Sequence, residues 1–170
     1  MSIKTLLTSI ACGLIALAVQ PRSAAAADPS LAGSWQFILV RTSPPITPVV
    51  KIPGLATFTP DGSVIETDGS EFVPGPASTT PVIKASTPGH GIWQPAPVPG
   101  TLYVLYISLV LNPNGSLHAR NVTTMMVTLS ADGSQFSGSY TTDQVSPSGT
   151  TKNISSGSVT GQQIPHNPLP

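Results

Sequence analysis

Thr59-Pro60-Asp61-Gly62-Ser63, Asn112-Pro113-Asn114-Gly115-Ser116 and Ser130-Ala131-Asp132-Gly133-Ser134 are three versions of one turn, and Ser146-Pro147-Ser148-Gly149-Thr150 is a close variant. Proline presets the backbone for a type I turn, Asp or Asn tolerates the next position, and glycine takes the left-handed conformation that returns the chain to a strand. Each is a hairpin signal joining segments that are neighbours in sequence. Together they predict an antiparallel meander.

The strand candidates flanking these turns are residues 34–41, 55–59, 63–68, 91–94, 101–111, 116–129, 135–145 and 150–161. Phe136, Gly138 and Tyr140 alternate with Gln135, Ser137, Ser139 and Thr141, the period of a half-buried strand with a polar outer face. Trp35, Phe37 and Leu39 form a similar inward row. Eight such segments can close into a barrel, which removes the edges an open sheet would leave. The expected fold is all-β, an eight-stranded antiparallel up-and-down barrel.

Ahead of the first strand stand Lys4, an apolar run over residues 6–19 and the small-residue end Ser23-Ala24-Ala25-Ala26-Ala27. This is the pattern of a signal peptide with an Ala-x-Ala cleavage site, and the run is short of the ~20 residues that span a bilayer. The expected organisation is a signal peptide at 1–27, a barrel domain at 28–164 and a flexible Pro-rich tail at 165–170. The mature chain would be secreted or periplasmic, with no membrane anchor after processing. Cys12, the only cysteine of the chain, lies inside the apolar run. Its removal excludes disulfides, cysteine nucleophiles and thiolate metal sites.

Without residues 1–27 the chain keeps 143 of its 170 residues, enough for one domain with a core. Five basic residues then face seven acidic ones, so nucleic acid is a poor partner. Solubility is carried by Ser, Thr, Asn and Gln. From Gly69 to Gly89 the prolines Pro74, Pro76, Pro81 and Pro88 predict a long loop across one mouth, with Val82-Ile83-Lys84 touching an edge. The strand from Tyr103 to Leu111 is apolar on both faces, whereas a solvated barrel strand is apolar on one. A second subunit covering its outside, in a homo-oligomer, is the simplest explanation.

Gly33-Ser34-Trp35, Pro60-Asp61-Gly62, Thr87-Pro88-Gly89-His90-Gly91-Ile92-Trp93 and Asp132-Gly133-Ser134-Gln135-Phe136-Ser137-Gly138 follow one another in an arrangement that resembles small secreted bacterial proteins with a lipocalin-like (calycin) barrel. In such barrels a Gly-x-Trp segment opens the first strand, its tryptophan plugs the closed end, and a Pro-Gly-His-Gly-x-Trp segment introduces a central strand. Thr142-Asp143-Gln144 only partly matches the Thr-Asp-Tyr element of lipocalins proper, and no arginine follows Arg120, so the resemblance is to the outlying, lipocalin-like class. It implies a small apolar molecule bound in the interior.

His90 lies between two glycines at the expected mouth, where an imidazole could exchange a proton with a bound polar group or simply hydrogen-bond the loop. Glu66 shares a strand face with Val64 and Asp68. Pointing inward it would be desolvated and suited to act as a general base; the outward orientation is expected, because carboxylates are seldom buried unpaired. Trp93, Tyr103, Tyr106, Met125, Met126 and Tyr140 either line an apolar ligand cavity or form solid core. Arg120 and His118 share one strand face and are expected to meet water.

The chain has no Gly-x-Ser-x-Gly elbow, no His-x-x-x-His pair and no phosphate-cradling glycine loop, and its three histidines are far apart. Neither metal nor cofactor is expected. Asn114-Gly115-Ser116, Asn121-Val122-Thr123 and Asn153-Ile154-Ser155 match the glycosylation sequon, which matters only in a eukaryotic host. The functional expectation is a secreted lipocalin-like barrel that binds a small apolar molecule without catalysis. Two alternatives stay open: an isomerase or cyclase using His90 and Glu66 or a tyrosine, and a filled barrel working through its surface.

Overall fold

A computed structural model describes residues 30–45, 47–69 and 85–165. Its strands are β1 (Gly33–Ser43), β2 (Lys51–Phe58), β3 (Ser63–Asp68), β4 (Ala85–Ser86), β5 (Gly89–Pro95), β6 (Thr101–Leu111), β7 (Leu117–Leu129), β8 (Gln135–Val145) and β9 (Thr151–Gln163). Every pairing is antiparallel, in the order β6-β5-β3-β2-β1-β9-β8-β7, and β7 pairs again with β6. The eight long strands therefore close an up-and-down barrel, as the turn pattern predicts. The two-residue β4 pairs with Val110 and Leu111 of β6, in line with β5.

The four quoted turns are where the chain reverses. Gly62, Gly115, Gly133 and Gly149 have φ of 92°, 80°, 71° and 89°, the region only glycine enters without strain. Their amides donate to Thr59, Asn112, Ser130 and Ser146 carbonyls at 3.1, 2.8, 2.9 and 2.9 Å. Asp132 braces its turn by accepting from Ser130 Oγ at 2.5 Å and from Ser134 N at 3.1 Å and Oγ at 2.7 Å. These donors hold its carboxyl down at about 2. Asp61, bonded by Thr59 Oγ1 and Ser63 N, is lowered for the same reason.

One end of the barrel carries the turns at 59–62, 96–100 and 130–134 and holds Trp35. The other end, the mouth, carries residues 44–45 and 47–50 and the turns at 112–116 and 146–150. Trp35 is wholly buried, and its indole Nε1 donates to the Leu31 carbonyl at 2.7 Å. Leu31, itself wholly buried, packs under that end. Phe37, Phe58, Val64, Val104, Val127, Phe136 and Val159 complete the core above it, with the Phe136 ring 5.1 Å from Trp35. The interior at the tryptophan end is filled by the protein's own side chains.

Sequence expectation and structure differ at several strand limits, most of all at the start of β2. β2 begins at Lys51 and contains Pro53, which lies beyond the last rung to β3, Gly54 opposite Asp68, so its missing N–H breaks no bond on that side. β5 begins at Gly89 instead of Gly91. The end of the long Pro-rich connection is tied to β6: Thr87 N donates to the Leu109 carbonyl at 2.9 Å and Leu109 N donates to Thr87 Oγ1 at 3.0 Å. The expected contact of Val82-Ile83-Lys84 lies outside the described residues, as do the signal peptide and most of the tail.

Candidate functional site

Above the apolar floor, the inward positions turn polar. On consecutive rungs Glu66 lies opposite Gly89, Tyr106 opposite Thr123, Thr123 opposite Thr142, and Thr142 opposite Ser155. All five polar side chains of this belt are buried. Most of it is hydrogen-bonded within itself. Thr123 and Thr142 share a hydrogen bond of 2.9 Å, and Tyr140 Oη and Ser155 Oγ share one of 2.8 Å.

Tyr106 is an exception. The residue is 3 % exposed, and its hydroxyl makes no hydrogen bond of normal geometry among the described residues, the Thr123 hydroxyl being near enough only to act on its ionisation. Burial, then the nearby carboxylates of Glu66 and Asp68, push its ionisation well above the ordinary phenol range, the Thr123 hydroxyl offsetting this in part. Tyr106 is therefore a neutral, buried donor. It stands beside Glu66: a side chain at Gly89 would collide with both Glu66 Oε1 and the Tyr106 ring. Glycine at this rung is what lets the carboxylate and the phenol approach each other. Arg41, inward and near the mouth, also has a buried Nε without a hydrogen bond among the described residues.

The structure sorts the expected site residues by strand phase. Tyr106, Met125 and Tyr140 point inward and are buried. Tyr103 does not: Leu102, Val104 and Tyr106 occupy the inner face of β6, so Tyr103 is outside, with Met126 opposite it on β7. Trp93 is buried but committed to the frame, its Nε1 donating to the Thr59 carbonyl at 2.9 Å and its backbone N to the Gly62 carbonyl at 2.7 Å. It holds the β2–β3 turn.

His90 is corrected as well. It sits within β5, exposed on the outer wall between Ile65 and Ile107, not in a mouth loop. Glu66 is corrected in the opposite sense, since at 5 % exposure it points inward. The two therefore lie on opposite sides of the wall and cannot act on one substrate. Arg120 faces solvent, as expected, and His118 is half-buried. The belt residues Thr123, Thr142 and Ser155 were not among the sequence candidates, although they stand two or four residues from Met125, Tyr140 and Val159 and so share their inward phase.

Fold and interior together define a closed, eight-stranded antiparallel barrel protein with a polar belt beneath its mouth, an architecture compatible with the lipocalin-like fold. Comparison with family models, with curated proteins and with solved structures found no match.

Proposed function

We propose that the protein binds a small molecule in the mouth-side half of the barrel, non-catalytically, with an apolar body and one polar head that accepts a hydrogen bond from Tyr106. The carrying observation is the buried Tyr106 hydroxyl without a hydrogen bond among the described residues. Leaving such a group unmatched costs about 1–3 kcal/mol, a cost that a bound acceptor removes. The apolar reading from the sequence is narrowed by the filled tryptophan end, which leaves the belt as the region for a ligand. The signal-like residues 1–27 support action outside the cytoplasm, in the periplasm or medium.

Native mass spectrometry of the protein purified from its own host tests this reading. A stoichiometric small molecule, reduced in Tyr106→Phe and kept in Tyr103→Phe, is expected. A ligand-free mass in the wild type, or equal loss in both variants, would count against it. N-terminal sequencing of the exported protein tests the compartment, with a start at Asp28 expected.

The inward Glu66 beside Tyr106 favours one second reading, proton transfer on a bound carbonyl compound. The carboxylate would take a proton from carbon while the phenol hydrogen-bonds the developing oxyanion. Turnover lost in Glu66→Gln with binding retained would move the assignment to this reading.

A further inference from the structure

Outward rungs on one side of the barrel carry an apolar face. In one row Ile65, His90, Ile107 and Val122 are successive partners across β3, β5, β6 and β7; in the next are Ser63, Ile92, Leu105 and Thr124. Tyr103 and Met126 extend it toward the tryptophan end, and Leu109 toward the mouth. Ile65 and Ile92 are 52 % and 50 % exposed, and Ile107, Leu109 and Met126 are 38–39 % exposed. The wall across the barrel is different in kind. Outward positions of β8 and β9 include Gln135, Ser137, Ser139, Ser158, Thr160 and Gln162.

We propose that this face is the contact between two copies of the chain. The charge distribution favours a second copy over other occupants. Glu66 and Asp68 of β3 point inward, and the outward residues of β3, β5 and β6 include no Asp, Glu, Lys or Arg. The rim along β7 and β8 has one charge of each sign, Arg120 and, opposite Val122, Asp143. Two such rims related by a two-fold axis meet with balanced charge, as an isologous contact requires. An anionic membrane surface would instead call for a cluster of Lys and Arg, and the face offers a single arginine. Because the barrel is closed, copies cannot add strand to strand, and burial of side chains is the available driving force.

Sedimentation velocity on the purified protein, between about 1 and 200 µM, tests the proposal. A monomer–dimer equilibrium within that range is expected. Ile107→Lys is expected to leave a monomer, while Thr160→Lys on the opposite wall leaves the equilibrium unchanged. Both positions are exposed, so unchanged circular dichroism will show that the variants fold. Monomer at every concentration, a dimer indifferent to Ile107→Lys, or a monomer that floats with neutral lipid vesicles would overturn the proposal. The small-molecule reading does not depend on the result.

Discussion

The two tyrosines inside this barrel are chemically identical and differently kept. Tyr140 on β8 has its hydroxyl 2.8 Å from Ser155 Oγ on the next strand, so its polar atom is matched inside the protein. Tyr106 on β6 is buried to the same degree, and its hydroxyl has no hydrogen bond among the described residues. The same contrast holds for the two ends of the interior. Around Trp35 the inward residues are large, apolar and in mutual contact, which is how a structure maximises stability. In the belt they are Glu66, Tyr106, Thr123, Thr142 and Ser155, polar groups whose burial costs stability unless each is hydrogen-bonded.

This division can be broken from its stable side first. Trp35→Ala removes the largest wholly buried side chain together with its bond to the Leu31 carbonyl, and is expected to destabilise by about 3–5 kcal/mol in urea unfolding. A loss below about 1 kcal/mol would mean that the tryptophan end is not the packed half. In the belt, Thr123→Val keeps the volume and deprives Thr142 of its hydrogen bond, so a smaller loss of about 1–2 kcal/mol is expected. An unchanged unfolding midpoint would show that water already replaces that bond.

The turns contribute the smallest effect, and it has a sign in pH. The Asp132 carboxyl goes from 3.8 when free to about 2 in the fold, and Asp61 is lowered too. A carboxyl depressed on folding contributes stability above its unfolded value and loses it as pH falls through the folded one. Thermal midpoints should therefore decline from about pH 4 toward pH 2, and decline less in Asp132→Asn. Both groups are fully exposed, so the shift is expected to be slight.

The hairpins were legible because a turn glycine is a local requirement: positive φ at Gly62, Gly115, Gly133 and Gly149 follows from residues adjacent in sequence. Facing direction was not, wherever both faces of a strand carry the same kind of side chain. On β6, Tyr103 and Tyr106 are three residues apart and so cannot share a face, yet a segment apolar throughout does not say which of them is inside. Glu66 presented the same ambiguity, flanked by Ile65 and in phase with Val64. Its inward turn depends on Gly89, which sits opposite it only through a pairing across about twenty residues of chain. The sequence ends the loop at Gly89 and starts the strand at Gly91; in the structure Gly89-His90-Gly91 lies within β5, which sends both glycines inward and the histidine out. The sequence matches that contain Thr123, Thr142 and Ser155, two sequons and a partial Thr-Asp-Tyr element, say nothing of an inward belt, and only the barrel's register brings the three together.

The most direct test pairs two identical substitutions, Tyr106→Phe and Tyr140→Phe, in the purified ligand-free protein, with stability read from urea unfolding. Removing the Tyr106 hydroxyl deletes an unmatched polar atom, and stability is expected to stay level or rise by up to about 1 kcal/mol. Removing the Tyr140 hydroxyl strands Ser155 and is expected to cost about 1–2 kcal/mol. Equal losses in the two variants would mean that Tyr106 is as fully bonded as Tyr140, and would contradict the proposed role of its hydroxyl.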